Sequence, residues 1–158
     1  MNLYLFNNND SAAVYGIGTY IKELTHALEH SAINVHIVHL RSVRPKFEIE
    51  KTNDIENWYI PEVRSENASI DAVQEIEDYC QNVIYLFRLH IKDTTEMIFH
   101  FNFNNCYSLA RGLKAIFDCK TTATVHYTKW HLELHGNLNK LHDIKIKSET
   151  QRNKPTMK

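Results

Sequence analysis

Ala13-Val14-Tyr15-Gly16-Ile17-Gly18-Thr19-Tyr20-Ile21 is the stretch whose reading sets the fold. Upstream, Leu3-Tyr4-Leu5-Phe6 is an apolar run of strand length, followed by a polar loop from Asn7 to Ser11. Downstream, Ile17, Tyr20, Ile21, Leu24 and Leu28 recur at helical spacing. The order is strand, loop, glycine turn, amphipathic helix. Such a turn aims free backbone N–H groups and the positive end of a helix dipole at one point, which suits an anion such as phosphate. The chain has four glycines in 158 residues, so Gly16 and Gly18 take half of them. A tight turn that needs positive φ, with no ligand, is the simpler reading of the pair.

The alternation continues along the chain. A first helix is expected from about Tyr15 to His30, then a strand from Ile33 to Leu40 and a basic loop from Arg41 to Pro45. Lys46–Glu50 and Asn57–Ile60 read as a small β-hairpin around Lys51-Thr52-Asn53-Asp54, an excursion from the main sheet over 46–61. Ser69 is placed to cap a helix from Ile70 to about Ile91, with Asp71 in its first turn. Its apolar stripe is Val73, Ile76, Cys80, Val83, Ile84, Phe87 and Ile91. Met97–Phe103 reads as a central strand. A third helix to Phe117 follows, capped by Asn104 or Asn105, with Leu109, Leu113 and Ile116 inward. Thr121–His126 reads as a buried strand. The fold class is α/β, a parallel sheet with helices on both faces. Residues 1–146 are expected to form this domain and 147–158 a polar, disordered tail. Ligands in such sheets bind beyond the carboxyl ends of the strands. The loops Asn7–Gly18, Phe101–Cys106 and His126–His135 converge there.

Composition narrows the function classes. The formal net charge is −1, from 18 basic and 19 acidic residues, which gives no drive toward nucleic acid. No apolar run approaches the roughly 18 residues of a membrane-spanning helix, and no signal-peptide pattern precedes the first strand. Cys80, Cys106 and Cys119 form an odd set without a paired spacing, read as free thiols of a cytoplasmic protein. His131, Glu133 and His135 lack a third metal ligand at convincing spacing, so no metal is expected. His36 and His39 read as surface or edge residues, and Arg41 and Arg44 as a solvated loop.

The stretch from Tyr15-Gly16-Ile17-Gly18 through Ala27-Leu28 resembles the Gly-Ile-Gly loop and first helix of family 4 retaining glycosyltransferases. Ile98-Phe99-His100-Phe101-Asn102-Phe103-Asn104 and Thr124-Val125-His126-Tyr127 look like the fourth and fifth strands of the same N-terminal domain. More narrowly, the chain is similar to bacterial glycosyltransferases found beside radical SAM peptide-maturation systems, over roughly residues 1–145. These enzymes pair two Rossmann-like domains across a cleft, the GT-B arrangement. The resemblance implies a hexosyltransferase-type enzyme that moves a sugar from a nucleoside diphosphate sugar to an unknown acceptor, with no resident cofactor. Gly16, Ile17 and Gly18 would approach the donor phosphates, and His126 would be the catalytic contact to the transferred sugar. Asn102, Asn104, Tyr127 and Trp130 would contact the acceptor. The family continues into a donor-binding domain with a Glu-x7-Glu pattern. This chain stops at Lys158, and Glu48 and Glu56 stand at that spacing inside the expected hairpin, so a half-enzyme without its donor domain is expected.

Two other readings stand beside this one. An NADP-binding domain would use Arg41 and Arg44 for a 2′-phosphate, but Ile21 replaces the third glycine of the dinucleotide fingerprint and no acid closes the second strand. A non-catalytic binding module would keep the fold without the reaction.

Overall fold

A computed structural model of the protein describes residues 1–8, 16–62 and 71–125. Contacts divide the chain into a unit Met1–His126 and a unit Tyr127–Lys158. Every element below belongs to the first unit. The second unit, and with it the expected boundary at 146/147, lies outside the described residues.

The chain runs β1 (Asn2–Asn7), α1 (Gly16–Leu28), β2 (Asn34–Ser42), β3 (Glu48–Thr52), β4 (Ile55–Pro61), α2 (Ala72–His90), β5 (Met97–Phe101), α3 (Tyr107–Ile116), β6 (Cys119–Ala123). Among the described residues these strands form one mixed sheet in the order β3-β4-β2-β1-β5-β6. Only the β3–β4 pair is antiparallel; the other four pairs are parallel. All six residues of β1 are buried. Leu3 and Leu5 serve one face of that strand, Tyr4 and Phe6 the other, as a strand covered on both sides requires.

The two faces hold different cores. Leu3, Leu5, Val35 and Ile21 meet Ile17, Tyr20, Leu24 and Leu28, so α1 covers a small aliphatic core. The opposite face is larger and aromatic. Tyr4, Phe6, Trp58, Phe99 and Phe101 pack there with Phe87, Val83 and Ile84 of α2 and Leu109 and Leu113 of α3. Gly112 of α3 packs directly against Ile84 of α2, and a Cβ there would displace that side chain. The chain moves outward from β1 to β2 on one side, then returns past β1 to β5 on the other. Helices of a uniform crossover handedness fall on opposite faces when the direction reverses. The reversal places a topological switch point between β1 and β5.

Several expected details differ. The hairpin is not an excursion: His36↔Glu56 through Ser42↔Pro61 pair β4 with β2 in parallel, so β3 and β4 form the edge of the main sheet. Trp58 and Ile60 draw it in, since both are buried in the aromatic core. Its tip, Asn53-Asp54, has both residues at positive φ, 49° and 64°, the two-residue turn that matches strand twist. The α2 cap is Asp71, whose carboxylate accepts from the Val73 N–H at 3.3 Å. The α2 stripe is also shorter than expected. Val73 and Ile76 are 62% and 46% exposed, and Tyr79 begins the buried face, since only from there does the helix meet the sheet. At the start of α3, Asn105 takes left-handed φ and Cys106 occupies the cap position without a side-chain bond. Ile116 is exposed, and Phe117 fills the inward place beyond Leu113. Among the described residues β6 is the edge strand, with Cys119 buried and Lys120–Ala123 exposed. β-branched residues signalled strand conformation there, not burial.

Phe87 is fully buried and stacks on Phe6 at 5.4 Å, with Tyr4, Trp58 and Phe99 around it. Phe87→Ala is expected to cost about 3–5 kcal/mol in urea unfolding. Exposed Val73→Ala is expected to stay within about 0.5 kcal/mol. Equal effects at the two positions would contradict the assigned packing of α2.

Candidate binding crevice at the strand carboxyl ends

Residues at the carboxyl ends of four neighbouring strands line up in register. Asn7 of β1 stands beside His39 of β2, and His39 beside Tyr59 of β4. On the other side Phe6 pairs with Phe101, and the Asn102 N–H donates to the Phe6 carbonyl at 3.0 Å. Asn102 is therefore the next neighbour of Asn7. Strand alternation puts Asn7 on the side of Leu3 and Leu5, and Asn102 on the side of Ile98, which is the α1 face. The row Tyr59, His39, Asn7, Asn102 crosses the switch point; it contains no Asp, Glu, Lys or Arg, and the Arg44 guanidinium stacks on its Tyr59 end.

Two members of this row are buried and hold side-chain atoms without partners. Asn7 is 2% exposed and Asn102 1%. The Asn7 Oδ1, and both the Nδ2 and Oδ1 of Asn102, have no hydrogen bond. Each such orphan costs about 1–3 kcal/mol. The neighbouring polar groups are occupied. His39 stacks on Tyr59 at 4.6 Å, and its Nε2 meets the Asn57 Oδ1 at 3.2 Å. Two residues deeper, the His100 Nε2 meets the Thr124 Oγ1 at 2.7 Å, with Tyr20 of α1 edge-on at 6.3 Å.

The N-terminus of α1 lies at the same end of the sheet, because α1 must carry the chain from the carboxyl end of β1 back to the start of β2. Its first turn holds no acidic residue, so no side chain there offsets the dipole. Gly16 does not adopt left-handed φ, and a Cβ added to it would meet nothing within 4 Å. Neither the tight-turn reading nor close packing accounts for a glycine at this position. Ile17 spends its side chain in the small core, so it can offer a ligand only its backbone. Gly18 is the third residue of the helix.

Of the other expected contacts, Asn104 is exposed past the end of β5. His126, Tyr127 and Trp130 lie outside the described residues. Asn7, seen in the sequence only as the start of a polar loop, was missed. Its signal was available: an asparagine directly after an apolar strand, repeated by Asn102 after the strand beside it.

The basic loop is engaged rather than solvated. Arg44 lies over the Tyr59 ring at 3.5 Å and binds Glu48 at 2.6 Å and Glu50 at 2.5 Å. Arg41 binds Glu62 at 2.9 Å and sits at positive φ where the β2–β4 register shifts. Glu56 is likewise committed, to His36 at 2.9 Å and to the Trp58 N–H at 3.2 Å. His36 is not a surface residue. It lies in the interior strand β2, stacked on Tyr4 at 4.3 Å.

Burial pushes the His36 imidazole below its ordinary value, against the pull of Glu56. The Asp93 carboxylate is held down at about 2 by hydrogen bonds from Thr95 and Asn2. Among the described residues no group of three or more His, Cys, Asp or Glu could hold a metal ion, and no helix is long and apolar enough to cross a membrane.

The chain matches no family model, no curated protein and no solved structure.

Two measurements follow from this geometry. Gly16→Ala is expected to stabilise the protein by about 0.4–1 kcal/mol in urea unfolding; a loss of stability would show that the fold itself needs the glycine. The second concerns pH. The fold keeps His36 neutral while the unfolded chain takes up a proton near pH 6.5, so stability falls as pH drops through that value. The Asp93 contribution has the same sign in a lower window, between its ordinary 3.8 and about 2. Tm is expected to fall between about pH 7 and pH 5, and His36→Phe, which keeps the stacking on Tyr4, should flatten that slope. An unchanged slope in the variant would contradict the assignment.

Proposed function

We propose that this domain is the acceptor-side half of a retaining, sugar-nucleotide-dependent glycosyltransferase of the GT-B type. The observation that carries the reading is the switch point between β1 and β5, where the unpartnered Asn7 Oδ1 and Asn102 carboxamide share the sheet end with the N-terminus of α1, whose first turn holds no acidic residue. The α1 amides suit the phosphates of a donor held from a second domain across a cleft. The uncharged Asn7 and Asn102 suit an uncharged sugar or acceptor. A retaining transfer without a carboxylate nucleophile works by positioning the reactants and stabilising developing charge. His126, by the family resemblance, would hydrogen-bond the transferred sugar.

The NADP reading loses support from the ion pairs of the basic loop. Arg44 is already bound to Glu48 and Glu50, and Arg41 to Glu62, so a 2′-phosphate would have to displace carboxylates.

The test uses the protein encoded by the full reading frame, screened with UDP-glucose, GDP-mannose, ADP-glucose and NADPH. Release of nucleoside diphosphate from one sugar nucleotide is expected, with no calorimetric binding of NADPH. Tight NADPH binding, or no release from a broad donor panel, would overturn the proposal. In that protein His126→Ala is expected to lower kcat at least about tenfold, roughly 1.4 kcal/mol of barrier, with Tm unchanged.

A further inference from the structure

The two ends of β1 provide a comparison within one strand. Both carry a buried asparagine, Asn2 at 3% and Asn7 at 2% exposure. Asn2 is tied down by its own fold. Its Nδ2 donates to the Asp93 Oδ2 at 2.9 Å and to the Thr95 carbonyl at 3.1 Å, and its Oδ1 accepts from the Asn34 Nδ2 at 3.1 Å. The Asn7 Oδ1 has no such partner, and neither does the carboxamide of adjacent Asn102. A buried asparagine is kept at the amino end by its hydrogen bonds. At the carboxyl end the fold itself gives no such return, and an apolar residue of similar shape would serve packing better.

We propose that Asn7 and Asn102 form a recognition pair for adjacent hydroxyls of a neutral sugar ring. The inference rests on the reading above only in placing the ligand at this crevice. The open atoms are two acceptors, the Asn7 Oδ1 and Asn102 Oδ1, and one donor, the Asn102 Nδ2. Two neighbouring hydroxyls match this set: each donates to one carbonyl oxygen, and one also accepts from the amide. A phosphate only accepts, so it would satisfy the Nδ2 and repel both carbonyl oxygens. An ammonium only donates and would leave the Nδ2 orphaned. Turning either amide over exchanges a donor for an acceptor, which a hydroxyl tolerates because it can be both. Asn7 and Asn102 themselves carry no charge, which fits an uncharged ligand. Phosphate chemistry is left to the α1 N-terminus, a separate part of the same crevice.

The test combines stability with binding. Asn7→Leu and Asn102→Leu remove the orphaned groups at similar volume, and Asn2→Leu is the control at the satisfied end. The crevice variants are expected to keep or raise Tm, by roughly 2–4 °C, while Asn2→Leu lowers it. The side-chain amide resonances of the wild-type protein are followed by NMR during titration with methyl α-D-glucopyranoside, methyl α-D-mannopyranoside and methyl α-D-galactopyranoside. At least one glycoside is expected to shift the Asn7 and Asn102 amides, and either crevice variant should abolish its binding. A fall in Tm for the crevice variants like that of Asn2→Leu would show a structural role and overturn the proposal. Inorganic pyrophosphate shifting the Ile17–Thr19 backbone amides, with no response to any glycoside, would also overturn it and leave the crevice reading standing. No response to any of these probes would remove both.

Discussion

The structure depends on the burial of β1 on both faces. A strand with water on neither side can carry polar side chains only at its ends. Asn2 and Asn7 are those ends, around Leu3-Tyr4-Leu5-Phe6. Parallel pairing with β2 on one side and β5 on the other forces the chain to leave β1 in one direction and return in the other. The aliphatic core under α1, the aromatic core under α2 and α3, and the row of polar strand ends at the carboxyl side all follow from that reversal.

The crevice differs chemically from the sheet edge beside it. On the edge, each charge has found an opposite charge: Arg44 with Glu48 and Glu50, Arg41 with Glu62. At the switch point stand two uncharged asparagines with three buried polar atoms left without partners. Buried polar groups in folded proteins are nearly all hydrogen-bonded, and of the four exceptions among the described residues three fall on two adjacent strand ends, the fourth being the His36 Nε2 within β2. Stability is given up there, as is common where a site must receive a ligand. The same holds for a glycine that neither backbone conformation nor packing requires at the start of α1. The proposed ligand site at this end of the sheet rests on both features.

Much of the fold was legible in the sequence because its signals are local. The apolar run of β1, the helical spacing of α1 and the alternation Met97-Ile98-Phe99-His100-Phe101 each declare their element without knowledge of neighbours. What the sequence concealed was relational. That the β3–β4 hairpin joins the main sheet depends on pairing with β2, some twenty residues away, and the Trp58 and Ile60 alternation hints only at a buried face. The α2 stripe could be drawn from Val73, but where the sheet begins beneath it decides that Tyr79 is the first buried residue. His36 looked like a surface histidine because its partners Tyr4 and Glu56 come from two other strands. Of the expected site residues, the structure places Gly16, Ile17 and Gly18 in the first turn of α1 and Asn102 just past the end of β5. Asn7 was hidden by its resemblance to a loop residue. Its meaning emerges only when Asn102 is seen beside it.

An atomic-resolution crystal structure of the free protein tests the central claim most directly, through the hydrogen bonds of Asn2, Asn7 and Asn102. The account predicts Asn2 bonded throughout to Asp93, Thr95 and Asn34, while the open atoms of Asn7 and Asn102 meet only solvent or a captured ligand. Closure of those same bonds by other protein groups would contradict it.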